Sequence, residues 1–210
     1  TLTMGNQNGA TRVGIGTINP TSKLTVAGRI ETTSGGVKFP DGTVQTTAAS
    51  GGIYGFSNMK VFETAGSYNW TVPQGVTKIM VEVWGGGGGT GSYGANGGGG
   101  GGYGKEIFSV NSGAVYAGIV GDGGIINQFN GKTSSFGNLI SATGGINGTF
   151  QPGAGGTSGA AFNISGQSGG IGGGNSANGG FGGYPPVAPG GGARGGSSGQ
   201  GAPGRMVVWW

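Results

Sequence analysis

The chain of 210 residues contains no cysteine and no histidine. The first absence excludes disulfides, thiolate nucleophiles and cysteine-ligated metal. The second removes the imidazole base, a common zinc ligand and the histidine pH switch. Charge is scarce too: 10 Lys plus Arg and 6 Asp plus Glu make 8% of the chain, against about 25% in an average domain. The net charge of +4 is scattered, and lone Arg194 before Gly195-Gly196 is one unit of a nucleic-acid motif that works by repetition. No apolar run approaches the roughly 18 residues of a membrane span; the longest is Met206-Val207-Val208-Trp209-Trp210. No segment reads as a helix. What remains is a structural or binding protein, with no cofactor, no nucleic-acid partner and no membrane insertion. The start at Thr1, without a basic and apolar leader, is expected of a processed form or a fragment.

Glycine dominates what is present, with 59 residues, 46 of them after Trp84. The shift in composition, with 10 of the 16 charged residues at or before Trp84, argues for two parts. The first spans residues 1–52, a β stalk or assembly arm, and the second spans 53–210, a glycine-rich β domain. In the first, Leu24, Val26 and Ile30 alternate with Lys23, Thr25, Arg29 and Glu31 over residues 22–31, the period of a half-buried strand. Val37-Lys38-Phe39 and Thr43-Val44-Gln45-Thr46 flank Pro40-Asp41-Gly42, a hairpin turn. Ribbons this short are marginal in water, so copies of the chain are expected to associate through Leu24, Val26, Ile30, Val37, Phe39 and Val44.

The second part carries longer strands, expected at 59–64, 68–72, 77–84, 106–110, 114–120, 134–136, 139–142 and 205–210. In the clearest, Ile79, Val81 and Val83 form an aliphatic face opposite Lys78, Met80, Glu82 and Trp84. The fold class is all-β: a short intertwined stalk followed by a sandwich-like domain with glycine-rich layers. Gly85–Gly89, Gly97–Gly102 and the stretch from about Gly144 to Gly204 pose an energetic problem, because ordering glycine costs more backbone entropy than average and returns little burial. Disorder is the compositional expectation. Two features argue for order: apolar residues recur within the tracts, and a strongly apolar strand lies beyond them. The available form is the polyglycine II helix, three residues per turn, with bonds only to its neighbours. Glycine does not recur at every third position, so collagen is excluded.

Several sequence motifs match chemistry without its context. Gly166-Gln167-Ser168-Gly169-Gly170 and Gly195-Gly196-Ser197-Ser198-Gly199 fit the nucleophile elbow, but no histidine exists to complete a triad. Gly86–Gly91 fits a dinucleotide loop that lacks its helix, and Gly131-Lys132-Thr133 lacks the upstream glycine of a phosphate loop. With six acids and no enclosing pocket in view, an enzyme is not expected. Tyr93, Tyr103, Phe150, Phe162, Phe181 and Tyr184 are the candidates for receptor binding, able to stack on sugars or anchor in a protein groove. The competing role is capping the ends of a glycine layer or filling gaps between neighbouring chains, and Trp70 and Trp84 are assigned to packing or subunit contacts. Trp209 and Trp210 are placed in packing or subunit contacts.

A family resemblance rests on particular residues. Val13-Gly14-Ile15-Gly16-Thr17, Asn19-Pro20 and Lys23-Leu24-Thr25-Val26-Ala27-Gly28 resemble the short β repeat of trimeric phage tail fibres and related bacterial surface proteins, as does Val37 to Ala48. Phe62, Gly66-Ser67-Tyr68-Asn69-Trp70-Thr71-Val72-Pro73, Val81-Glu82-Val83-Trp84 and Gly201-Ala202-Pro203-Gly204-Arg205 are similar to the glycine-rich domain at the ends of many tail fibres. The resemblance implies an extracellular homotrimer, on a virion or a bacterial surface, whose terminal domain meets a host-surface glycan or outer-membrane protein. The alternative is a subunit of a self-assembling bacterial filament, in which the same surfaces contact other copies.

Overall fold

A computed structural model describes residues 2–7, 10–46, 55–91, 96–125, 130–148, 153–183, 186–194 and 199–210. The chain divides into two compact units, Thr1–Gly51 and Gly52–Trp210, and the described residues include no helix.

In the first unit β1 (Leu2–Gln7) and β2 (Ala10–Ile15) pair antiparallel, and β3 (Leu24–Val26) joins β2 in parallel with Val13 opposite Leu24. The strand expected over residues 22–31 is therefore shorter. Ala27 N–H donates to Ile15 O at 2.9 Å, and β2 ends there, so the chain beyond has no ladder to follow. Ile30 falls outside the strand. The expected hairpin is present as β4 (Val37–Lys38) and β5 (Val44–Gln45). Gly42 sits at φ 87°, a left-handed conformation that only glycine adopts freely, and its N–H donates to Phe39 O at 3.0 Å. The Thr43 hydroxyl and N–H donate to Asp41 Oδ1 at 2.6 and 2.9 Å, which holds the Asp41 carboxyl below its ordinary value. No described apolar side chain of this unit joins a buried core: Ile18, Ile30 and Leu24 are 77%, 63% and 55% exposed, and Val37, Phe39 and Val44 are exposed as well.

The second unit contains β6 (Met59–Phe62), β7 (Gly66–Thr71), β8 (Lys78–Trp84), β9 (Tyr103–Ser109), β10 (Val115–Val120), β11 (Ser134–Phe136), β12 (Ile140–Ala142), β13 (Phe162–Ile164) and β14 (Arg205–Trp209). They form two sheets, ordered β12-β11-β10-β7 and β13-β9-β8-β14-β6. The period-two faces set the packing: fully buried Ile79, Val81, Val83, Met206 and Val208 from the larger sheet share one core with Trp70, Val120, Phe136 and Ile140. Trp210 closes it, its ring 5.4 Å from that of Trp70. The C-terminal strand β14 lies between β6 and β8, antiparallel to both. Two details depart from the alternation reading. Strand β9 begins at Tyr103, and a three-residue strand, β13, rises from the glycine stretch to pair with that early part of β9.

The described parts of the glycine tracts form a bundle continuous with the sandwich. Residues 85–91 prolong β8, and 97–102 return into β9. Segment 97–102 forms no internal bond. Its N–H groups rotate through three neighbours with a three-residue period: Gly97 and Gly100 donate to Gly170 and Gln167, Gly98 and Gly101 to Ala193 and Gly190, Gly99 and Gly102 to Ile146 and Thr143. Its carbonyls rotate through three more, accepting from Gly153 and Gly156, Gly174 and Ala177, Gly88 and Gly85. All six N–H groups and all six carbonyls are paired, at 2.8 to 3.3 Å. That pattern is a polyglycine II helix enclosed by six neighbouring segments. Segment 85–89 is likewise ringed by residues of 97–102, 121–124, 130–132, 143–148, 190–193 and 201–202. A Cβ at Gly99 would lie 2.0 Å from Ala154 O. At the rim one side of each segment faces out, and there Ala154, Thr157 and Gln167 are tolerated, which explains why glycine is frequent without being strictly periodic.

Gly99→Ala is therefore expected to lower stability by at least about 4 kcal/mol, the upper range for single substitutions. Gly172→Ala, where an added Cβ meets nothing within 4 Å, should change it by less than about 0.5 kcal/mol. Chemical denaturation of the two variants checks both; equal losses would contradict the lattice.

Candidate binding site

The outward face of the five-stranded sheet is assembled from residues that alternate with the core positions, and the register sets them in cross-strand rows. One row runs Ile164, Tyr103, Trp84, Arg205; the next Phe162, Lys105, Glu82, Val207, Val61; the third Ile107, Met80, Trp209, Met59. Aromatic and aliphatic groups cover most of this face. Trp84, Tyr103 and Val207 pack with Ala177 into a second buried cluster, and the Trp84 and Tyr103 rings lie 4.8 Å apart.

Glu82 stands at the centre, its side chain only 13% exposed. Both diagonal neighbours donate to it: Tyr103 Oη to Oε1 at 2.7 Å and Trp209 Nε1 to Oε2 at 2.8 Å. Lys105 Nζ lies 3.8 Å from Oε1. Such partners allow a carboxylate to be buried, since a lone charge there is costly. Asn178, at φ 50°, places its carbonyl 3.1 Å from Trp84 Nε1 and lines the same depression as Tyr103. The Tyr103 phenol is pushed well above its ordinary value of 10.0, by burial first and then by the bond and charge of Glu82. Phe162 stands edge-on to Tyr103, centroids 6.0 Å apart. Around them Met80, Glu82, Tyr103, Lys105, Glu106, Ile107, Phe162 and Asn178 line an open depression of about 560 Å³, within the size range of small-ligand sites.

The structure separates the six receptor-binding candidates. Tyr103 is buried, 1% exposed, because the glycine lattice hands the chain to β9 at that residue; it is a wall of the site rather than a stacking platform. Phe162 is exposed at the rim of the depression. Phe181 is exposed on a different segment, its carbonyl accepting from Val187 N. Tyr93, Phe150 and Tyr184 lie outside the described residues. Of the two terminal tryptophans, Trp209 belongs to this face and Trp210 to the sandwich core. Glu82, Lys105 and Asn178 were absent from the sequence candidates, although the alternation of Met80, Glu82 and Trp84 opposite the core face was the available signal. The dinucleotide-loop match fails on geometry as well: the N–H groups of Gly86, Gly87 and Gly88 donate to Lys132, Ala202 and Gly99, leaving none for a phosphate. Among the described residues no group of three or more carboxylates could hold a metal ion.

This fold, a β-sandwich whose strands run into a glycine bundle, defines a glycine-rich β domain. A model of the glycine-rich domain family matches residues 63–209, and the chain belongs to that family. No curated protein matches it.

The raised Tyr103 phenol sets a pH dependence. The unfolded chain releases this proton near pH 10 while the folded one retains it, so its contribution to stability is full below pH 10 and is lost as pH rises toward the elevated folded value. Ultraviolet titration should find one tyrosine ionising later than the others, and Tyr103→Phe should remove that late component; its persistence in the variant would contradict the assignment.

Proposed function

We propose that the chain is a non-enzymatic extracellular fibre protein, a homotrimer whose glycine-rich domain meets a receptor on a host cell surface, as in a phage tail fibre or a bacterial adhesin. The observation that carries the reading is the contrast between the two units. The first leaves Leu24, Ile30, Val37, Phe39 and Val44 exposed, a hydrophobic face that other chains are needed to cover. The second has its own core and a bundle locked by backbone hydrogen bonds, a rigid support for groups that contact a partner. The tail-fibre resemblance of residues 13–48 supports the same reading. No catalytic constellation is required of such a protein, and the buried Glu82 is explained by its two donors.

A self-assembling bacterial filament is the second reading. It is favoured by β7, an edge strand of the smaller sheet whose six residues, GSYNWT, carry no charge, since uncharged edges invite further strands.

Light scattering of the purified chain should give a discrete mass near three times 20.2 kDa, and Leu24→Asp combined with Phe39→Asp should reduce it to a single-chain mass while leaving the thermal transition of the second unit in place. Long polymers of uniform width would select the filament. A monomer that does not attach to cells would rule out both.

A further inference from the structure

We infer that the depression beside Glu82 is a saccharide site that takes one neutral pyranose ring. The inference rests on the receptor-binding reading above and gives that receptor a chemistry. A pyranose has an apolar face of C–H bonds and a rim of hydroxyls, and this site offers the complement of each. The apolar part is Phe162, 54% exposed, with Ile107, 58% exposed and opposite Met80 on the adjacent strand. An exposed aromatic ring in a receptor-facing domain is a large rigid contact that loses little entropy on binding.

The polar part converges from three strands' worth of chain. A carboxylate has about four acceptor positions; Glu82 uses one on each oxygen, for Tyr103 and Trp209, which leaves acceptors for sugar hydroxyls. Lys105 supplies donors, its 3.8 Å separation from Glu82 being longer than a hydrogen bond. The bonds from Tyr103 and Trp209, one to each oxygen, hold the carboxylate in one orientation before any ligand arrives. Such preorganisation lowers the cost of binding. Charge selects within the class. Lys105, the single cation lining the depression, already stands 3.8 Å from Glu82, so no unpaired cation is offered to an anionic sugar, whereas a neutral hexose or N-acetylhexosamine needs none.

The test is titration of the full chain with the methyl glycosides of glucose, galactose and N-acetylglucosamine, with N-acetylneuraminic acid as the charged comparison. Tryptophan fluorescence, sensitive through Trp209, and saturation-transfer NMR give the readouts. Saturable binding of at least one neutral glycoside is expected, with the strongest transfer to its C–H face. Phe162→Ala and Ile107→Arg should each weaken it at least tenfold, and Phe181→Ala should leave it unchanged. No saturation by any neutral glycoside, preference for the acidic sugar, or unchanged affinity in both site variants overturns the inference. So does dissociation of the oligomer by either variant, which would make this face a subunit contact. Attachment to cells without glycoside binding sinks this inference and leaves the adhesin reading standing, whereas glycoside binding without attachment does the reverse.

Discussion

The structure depends on one contact repeated many times, a backbone N–H donating to a carbonyl of a neighbouring glycine helix across a gap too narrow for a Cβ. In a sheet each strand spends its polar groups on two neighbours. Here residues 97–102 distribute theirs among six, so cross-links extend in every direction around the axis. Each bond contributes modestly in net terms, yet a buried polar group left unpaired is expensive. The bundle tolerates its lack of side-chain burial because nearly every N–H and carbonyl at its centre is satisfied. The cost of ordering glycine is met collectively, which is why a lone glycine tract is a linker and a set of them is a solid.

That constraint reaches the candidate site. Trp84 and Tyr103 are the last and first side chains before the lattice on β8 and β9, and they face each other across the ladder. Asn178, from the glycine-rich stretch, accepts from Trp84 Nε1 through its carbonyl. The carboxylate of Glu82 thus stands in an orientation fixed from one side by Tyr103, where the glycine bundle ends, and from the other by Trp209 on the final strand. Sandwich and bundle are one chemical unit at this point.

Legibility from sequence followed side chains. Ile79, Val81 and Val83 announced their buried face by alternation, and Pro40-Asp41-Gly42 announced its turn, because in both cases the side chain or its absence decides the local conformation. The presence of glycine helices could be argued from composition and from the apolar strand that follows them. Which helix touches which could not, since residues without side chains carry no mark of their neighbours. Tyr103 shows the limit. An aromatic after six glycines reads as a loop residue, and only the register of β9 with β8 reveals it as the first residue of a strand. Phe162 kept its exposed character, but its partnership with Lys105 and Glu82 depends on β13, a strand too short for period two to disclose.

The same silence of glycine raises a question of phase. A helix of three residues per turn and 3.1 Å rise per residue repeats itself after about 9 Å, and a tract of pure glycine slid by one such step along its neighbours would find identical bonds. Nothing inside residues 85–89 or 97–102 forbids that slip. It is forbidden at their ends, where Trp84 and Tyr103 lock into the sandwich and convert a translational degeneracy into a single registry. The sandwich is accordingly the clamp that dates every turn of the screw, and the bundle inherits from it a uniqueness its own sequence does not contain.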